Sequence, residues 1–328
     1  MRILIIGGAG YIGSHTAYEF IENGHDVTIF DNLLTGWETN IPPQATFIKG
    51  DILHLDDLKS LFSSHVSRPS SYDAVVHFAA FKNAGESMTK PEKYSVTNLI
   101  GTLNLLNAMC DAGVKNIVFS SSSATYGEPQ YLPMNEAHPQ QPMSYYGFTK
   151  LEVERYLDWY SQLKGIRFAA LRYFNAAGYD VKGRVRGLEK NPANLLPIVL
   201  EVANGTRASM VVNGNDYPTH DGTCVRDYIH VNDLATAHVA AVDYITRTGE
   251  NLKCNLATGV GYSILDVISM TEEITGKKVP FTFVGRREGD PSTVYATSTI
   301  AEEKLGWKAV HSDLRTLLTS MWQVYGRI

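Results

Sequence analysis

An apolar run at residues 3–6 passes directly into Gly7-Gly8-Ala9-Gly10-Tyr11-Ile12-Gly13 and then into a helix-length segment. No other feature limits the fold of this chain as tightly. A strand, a tight glycine turn and a helix start bring unpaired N–H groups and the positive end of a helix dipole to one point, and glycine lets the backbone approach a pyrophosphate there. A glycine turn can also be nothing more than a strand-to-helix turn, so the surrounding pattern has to carry part of the argument. Residues 27–30, 46–48, 74–78, 116–120 and 168–172 are further strand candidates, and residues 11–23, 92–111 and 145–163 have helix-length patterns, with Gly24 and Gly113 placed as stops. Strands alternating with helices predict a parallel, doubly wound α/β sheet.

The chain has 328 residues, more than one core usually takes, so two domains or one large α/β unit with an appended lobe are expected. The alternation weakens after Asn175, where Gly178, Gly183, Gly187, Asn191 and Pro192 mark a loop-rich passage ahead of a helical segment at 193–203. The boundary therefore falls near Ala176: residues 1–176 form a dinucleotide domain and 177–328 a smaller C-terminal α/β substrate domain. The helical segment 231–245 is expected to return and pack on the first domain. With 44% apolar residues, 19% charged residues and a formal charge of -5, the composition offers no general attraction to nucleic acid or an anionic membrane. Cys110, Cys224 and Cys254 have no paired spacing, so no disulfide framework and no metal site is expected, and reduced thiols fit the cytoplasm. Neither a signal peptide nor a membrane-spanning run is expected.

Asp31 ends the second strand, where a carboxylate can accept from an adenosine ribose and would repel a 2′-phosphate, which favours NAD over NADP. Its bland reading is an Asx turn in Asp31-Asn32. Ser122 follows the fifth strand, at the edge where open α/β sheets place ligands, although serine clusters also cap their own turns. Tyr146 and Lys150 stand four residues apart on a helix and so share a face. A phenol titrates at about 10, so only a neighbouring cation makes it a base near neutrality. Tyr-x-x-x-Lys alone is a weak signal, and its joint occurrence with the phosphate loop gives it weight.

With these come blocks that are more discriminating: Asp31-Asn32-Leu33, Gly50-Asp51-Ile52, His77-Phe78-Ala79-Ala80 with Lys82, Arg172-Tyr173-Phe174-Asn175, Asn213-Gly214-Asn215-Asp216-Tyr217-Pro218-Thr219, and the run from Gly222 to Val231. On these residues the chain resembles the extended short-chain dehydrogenase/reductases, and among them it is similar over nearly its whole length to the UDP-glucose 4-epimerases. The resemblance implies a Rossmann domain carrying NAD, held by Gly7, Gly10, Tyr11, Ile12, Gly13, Asp31, Asn32, Leu33, Leu34, Thr35, Gly36, Asp51, Ile52, Phe78, Ala79, Ala80, Phe81, Lys82, Asn98, Tyr146, Lys150 and Phe174. It implies a UDP-sugar held by Ser122, Tyr146, Asn175, Asn194, Leu195, Val211, Val212, Asn213, Arg226, Tyr228, Arg287, Asp290 and Val294, with the two arginines on its diphosphate. It implies Ser122, Tyr146 and Lys150 as catalytic residues, UDP-glucose and UDP-galactose as substrates, and a homodimer formed through helices 92–111 and 145–163. Val294, where some members carry a bulky tyrosine, extends the expectation to UDP-N-acetylhexosamines.

Plainer readings stand beside these: Arg226-Asp227 as a surface ion pair, Asp233 as a helix-start acid, and His77 and His230 as packed strand residues. Related 4,6-dehydratases use an acidic pair after the catalytic hydroxyl, and here those positions are Ser123 and Ala124, which disfavours dehydration. A decarboxylase or an epimerase for a related UDP-sugar passes that test. A non-catalytic NAD-sensing module is the reading from another class.

Overall fold

The computed structural model describes residues 1–63, 72–190, 192, 194–287 and 289–327. Along the first half run β1 (Arg2–Ile6), α1 (Tyr11–Glu22), β2 (Asp26–Asp31), β3 (Thr46–Lys49), α2 (Leu55–Ser63), β4 (Ala74–His77), α3 (Ala84–Thr89), α4 (Pro91–Tyr94), α5 (Gly101–Asp111), β5 (Asn116–Ser120), α6 (Tyr145–Lys164) and β6 (Arg167–Tyr173). The second half adds β7 (Asn175–Ala177), α7 (Leu195–Ala203), β8 (Met210–Asn213), β9 (Val225–Arg226), β10 (Tyr228–His230), α8 (Val231–Thr248), β11 (Leu252–Leu256), β12 (Tyr262–Ser263), α9 (Ile264–Thr275), β13 (Phe281–Val284), β14 (Thr293–Val294), α10 (Thr299–Leu305) and α11 (Leu314–Tyr325).

Seven parallel strands form the central sheet in the order β11-β6-β5-β4-β1-β2-β3. The order reverses between β1 and β4, which opens a crevice at their carboxyl ends, where the glycine turn lies. Residues 3–6 are almost completely buried, because helices cover both faces of the sheet and leave no polar side to alternate with. α1 and α8 cover one face, packing Ala17 and Phe20 with Leu234, Ala237, Ala241 and Ile245 over Ile3 and Ile5. Leu105, Leu106, Met109, Val153 and Leu157 of α5 and α6 cover the other over Leu4 and Ile6. The returning helix thus lies against the nucleotide sheet, and β11 joins that sheet as a strand missing from the sequence-based strand candidates. Residues 177–228 and 262–325 contribute to a separate core around Tyr179, Val199, Leu200, Val212, Leu317 and Leu318.

Two expectations change in detail. The helix placed at 92–111 is wound as π-helix over Ser95–Ile100 before continuing as α5, so its face rotates partway along. The helix placed at 193–203 begins at Leu195 with Asn194 as its N-cap residue, while Asn191 and Ala193 lie outside the described residues. Among the described residues no helix is long and apolar enough to cross a membrane.

Candidate active site

The turn from Gly7 to Gly13 is built on close backbone approach. A Cβ at Gly7 would stand 2.7 Å from the Ala79 nitrogen, and Gly7 has φ +81°, while a Cβ at Gly13 would stand 2.3 Å from the Gly7 carbonyl oxygen. At Gly10 the nearest protein atom would be 3.3 Å away, so this glycine keeps the space in front of the turn clear. α1 then starts without any side-chain cap, leaving its first-turn N–H groups for a ligand. In front lies a cavity of about 480 Å³ lined by Gly7, Gly10, Tyr11, Ile12, Gly13, Asp31, Asn32, Leu34, Thr35, Asp51, Ile52, Phe78, Ala79, Ala80, Phe81, Lys82, Tyr146, Lys150 and Asn194. An uncapped helix start and a lining of apolar residues with Asp31 and Asp51 among them fit a dinucleotide.

Asp31 forms the Asx turn and stands at the cavity wall. Its carboxylate accepts from the backbone N–H of Leu33 at 2.8 Å, an Asx turn, and from Ala9 at 2.9 Å, yet it also lines the cavity. Burial raises its pKa, opposed by those two N–H groups and by Lys190. Asn32 donates to Asp51 at 2.8 Å and ties the two polar residues of this wall together. Several expected cofactor residues lie behind the wall. Asn98 clamps the backbone of Phe81 from both sides, at 2.9 and 3.0 Å, and so holds a lining residue in place. Gly36 packs against the Ala9 backbone, and Leu33 carries φ 62° beyond the Asx turn. Phe174 lies in a small core with Tyr126, Met134 and Val294.

α6 supplies the chemistry. Ser144 caps it by accepting from Gly147 at 3.1 Å, which starts the helix just before Tyr146. Gly147 is required there, since a Cβ would stand 2.3 Å from the Ala124 carbonyl oxygen. That contact presses the helix onto the 3₁₀ turn Ser123–Thr125, whose N-cap is Ser122. Ser122 Oγ accepts from Ala124 N at 3.1 Å, so the turn-capping reading holds, and its hydroxyl also acts on the Tyr146 phenol. Burial raises the pKa of Tyr146, and the Ser122 bond opposes that rise. One turn on, Lys150 Nζ donates to the Ser120 carbonyl at 2.7 Å and lies 4.8 Å from the Phe119 ring and 5.8 Å from the Tyr146 ring. Burial lowers its pKa to about 7, with the Glu154 charge opposing. Glu154, a further turn along, accepts from Arg172 at 2.9 and 2.6 Å and from Ser121 at 2.5 Å.

The expected substrate residues divide. Arg226 lies on β9 beside Val294 of β14 and pairs with Asp290, so the Arg226-Asp227 pair is corrected. Asp227 is buried and turns the other way, accepting from Thr258 N at 3.1 Å, Thr258 Oγ1 at 2.8 Å and Gly259 N at 3.2 Å. Burial pushes it up to about 7 against those bonds. Val212 and Tyr228 are core residues, so a ligand meets little of them besides backbone. Val211, Asn194 and Arg287 are exposed; Asn175, Leu195 and Asn213 are half-buried. Asp233 stands in the first turn of α8 and accepts from His311 N and Ser312 Oγ. His77 is bonded to Thr102 at 2.9 Å, and His230 caps α8. The same cavity is lined by Trp37 and by residues 187–190 from beyond the expected boundary, none of them foreseen. Their loop shows no periodicity or spacing that would single them out.

A glycine-turn nucleotide cavity with a Ser, Tyr and Lys grouping at the β5 end of the crevice defines an NAD-binding protein of the short-chain dehydrogenase/reductase class. Residues 3–257 match the model of the NAD dependent epimerase/dehydratase family, and the chain belongs to that family. It is 43% identical over 323 residues to a UDP-glucose 4-epimerase of Lacticaseibacillus casei (98% of this chain, 96% of that protein). With a UDP-glucose 4-epimerase of Corynebacterium glutamicum the identity is 44%, over 98% and 95% of the two chains. The structure of Brucella ovis UDP-glucose 4-epimerase in complex with NAD aligns with TM-score 0.95 at 42% identity, covering 99% of this chain and 98% of that one.

Proposed function

We propose that this chain interconverts UDP-glucose and UDP-galactose by transient oxidation at sugar C4. One observation carries the reading: Tyr146 and Lys150, one turn apart on α6, both line the nucleotide cavity with Ser122 lowering the Tyr146 pKa, and no acid stands at Ser123 or Ala124. Bound NAD supplies acceptance and return of a hydride. Tyr146, as phenolate, takes the proton of the 4-hydroxyl, Ser122 shares that hydrogen bond, and Lys150 supplies the charge that balances the phenolate. A 4-keto sugar results; once it presents its other face, return of the hydride to C4 would set the opposite configuration, while Tyr146 returns the proton to the oxygen. Without an acid beside Ser122, no residue there protonates a departing hydroxyl, so the ketone is reduced again instead of losing water.

For the cofactor, the α1 start would hold the pyrophosphate, Asp31 the adenosine ribose, and Asp51 and Ile52 the adenine end. For the substrate, Arg226 and Arg287 would meet the diphosphate by charge-assisted bonds, with Asn175, Asn194, Leu195, Val211, Val212, Asn213, Tyr228 and Asp290 around the rest. A Bifidobacterium longum UDP-glucose 4-epimerase has been solved with NAD+ and UDP, and aligns with TM-score 0.91 at 37% identity over 100% of this chain and 98% of that one. The separate cores support an NAD domain and a UDP-sugar domain divided near Ala176, with α8 and β11 returned to the first. Val294, half-buried on β14 beside Arg226 and smaller than the tyrosine some members carry there, supports turnover of UDP-N-acetylhexosamines. Exposed Val96, Ile100, Phe148, Trp159 and Leu163 on the two long helices support a homodimer, and the reduced thiols support a cytoplasmic setting.

The test is incubation with UDP-galactose, UDP-N-acetylgalactosamine or a UDP-uronic acid, without added NAD, followed by separation of products. UDP-glucose should appear from UDP-galactose, and Tyr146→Phe should lower turnover by roughly 100-fold or more. A strict requirement for external NAD with accumulating NADH, or near-normal turnover by Tyr146→Phe, overturns the assignment.

A further inference from the structure

The far wall of the nucleotide cavity is formed by four consecutive residues, Gly187, Leu188, Glu189 and Lys190, which come from beyond the sheet's first six strands. Each of them is fastened. Gly187 N donates to Asn40 Oδ1 at 2.8 Å, and a Cβ at Gly187 would stand 2.4 Å from that same oxygen. The Leu188 carbonyl accepts from Trp37 Nε1 at 2.6 Å. Lys190 Nζ donates to the carbonyls of Gly36 at 3.0 Å and Leu33 at 3.4 Å, and lies 4.3 Å from the centre of the Trp37 ring. Glu189 reaches the opposite rim and pairs with Lys82. Adjacent residues therefore grip both rims of the cavity, the 33–40 loop through Lys190 and the 78–83 wall through Glu189.

We propose that residues 187–190 form a strap that retains NAD, with Trp37, Asn40 and Lys82 as its latches, so that cofactor exchange requires the strap to lift. The inference rests on the NAD reading of the cavity and adds where the cofactor is held against exchange. The reaction gives a reason for such a device. An enzyme that releases reduced cofactor must open its site in every cycle, whereas one that returns the hydride to its own intermediate gains nothing by releasing it. The fastenings are also suited to slow lifting. They are hydrogen bonds, a cation over a ring and a rim-exposed ion pair, each worth little alone, but all must break together for the segment to leave.

The test measures NAD exchange directly. Wild-type protein and the variants Trp37→Phe, Lys190→Met and Gly187→Ala are loaded with radiolabelled NAD, then chased with unlabelled NAD, and capture is followed separately on NAD-free protein. Trp37→Phe keeps the ring and removes one donor, Lys190→Met keeps the stem and removes the ammonium, and Gly187→Ala forces the strap off Asn40 from its other end. Trp37→Phe and Gly187→Ala should speed release roughly three- to tenfold, the range expected for one lost hydrogen bond, and Lys190→Met, which loses two, at least as much. Capture should speed up as well, so affinity should change less than release. Unchanged release in all three variants overturns the strap. So does faster release with unchanged capture, since the residues would then be ordinary ligand contacts. A wild type that retains no NAD overturns the cavity reading itself and the strap with it. Thermal unfolding of the NAD-free variants near the wild-type midpoint excludes misfolding as the cause of faster release.

Discussion

Replacing Glu154 by Gln tests what holds the catalytic helix against the sheet. Glu154 is 0% exposed and Arg172 2%, and the carboxylate takes two guanidinium bonds together with the Ser121 hydroxyl. Arg172 also donates to Tyr126 at 3.0 Å, which in turn donates to Asn255 at 2.6 Å. Burial works against the guanidinium cation, and the Glu154 bonds more than offset it, so its pKa is raised. Glu154→Gln removes the anion and leaves that cation buried beside one neutral amide. Breaking a buried pair in this way costs about 3–5 kcal/mol. Urea denaturation of NAD-free protein should show this loss at constant slope. The double variant Glu154→Gln, Arg172→Met removes the uncompensated charge and should recover more than half of it, because a buried pair is worth little more than a well-packed apolar replacement. A single-variant loss below about 1 kcal/mol, or a double variant less stable than the single, refutes the reasoning.

Two further outcomes follow from the site. Turnover at limiting substrate should rise with pH through an acidic limb set by the Tyr146/Lys150 pair, since the pair must lose one proton before it holds a base. Lowering the pKa of Lys150 makes that proton leave more easily, so Glu154→Gln, which removes an opposing anion, should move the limb to lower pH, while Lys150→Met should move it far to the alkaline side; an unmoved limb in both counts against the pair. Gly147→Ala puts a Cβ 2.3 Å from the Ala124 carbonyl oxygen and must push α6 away from the Ser122 turn. It should lower kcat at least tenfold with NAD still bound, as misplacement of a catalytic group does, and a normal kcat would show that the close contact does not set the Tyr146–Ser122 distance.

How much of this was legible depended on whether the signal was local. The glycine turn, six of the seven sheet strands and the Tyr146/Lys150 face could be read because each is written in adjacent residues or at a fixed helical spacing. β11 was not, because Leu252–Leu256 contains Lys253 and Asn255 and lacks the β-branched run that marked the other strands; its place comes from pairing with β6. The π-turn within 92–111 leaves the helical spacing of its apolar residues too little changed to be seen. Asp227 beside Arg226 suggested a pair by adjacency, but Asp227 sits between β9 and β10 with its carboxylate on Thr258 and Gly259, and the partner of Arg226 lies 64 residues away. Residues 187–190 were hidden for another reason: their role is made by what they reach across to, and a loop carries no period that records it.

A neighbouring cation is a condition for Tyr146 to act as a base, and the structure shows that Tyr146 and Lys150 have to be treated as one group. Burial raises Tyr146 and lowers Lys150 to about 7, so in isolation each shift works against a phenolate beside an ammonium. Yet a neutral phenol with a neutral amine carries the same number of protons as a phenolate with an ammonium. The two forms are tautomers, and pH does not choose between them. What pH sets is the loss of one proton from the phenol–ammonium form, and burial makes that loss easier by penalising net charge. Once it is gone, the hydrogen bond from Ser122 favours the tautomer with charge on the phenol oxygen, and the Ser120 carbonyl and the Glu154 carboxylate favour the one with charge on Lys150. Desolvation lowers the pH at which the pair becomes neutral, while the Ser122 hydroxyl, the Ser120 carbonyl and the Glu154 carboxylate draw its remaining proton towards Lys150, against the burial that holds Tyr146 up and Lys150 down.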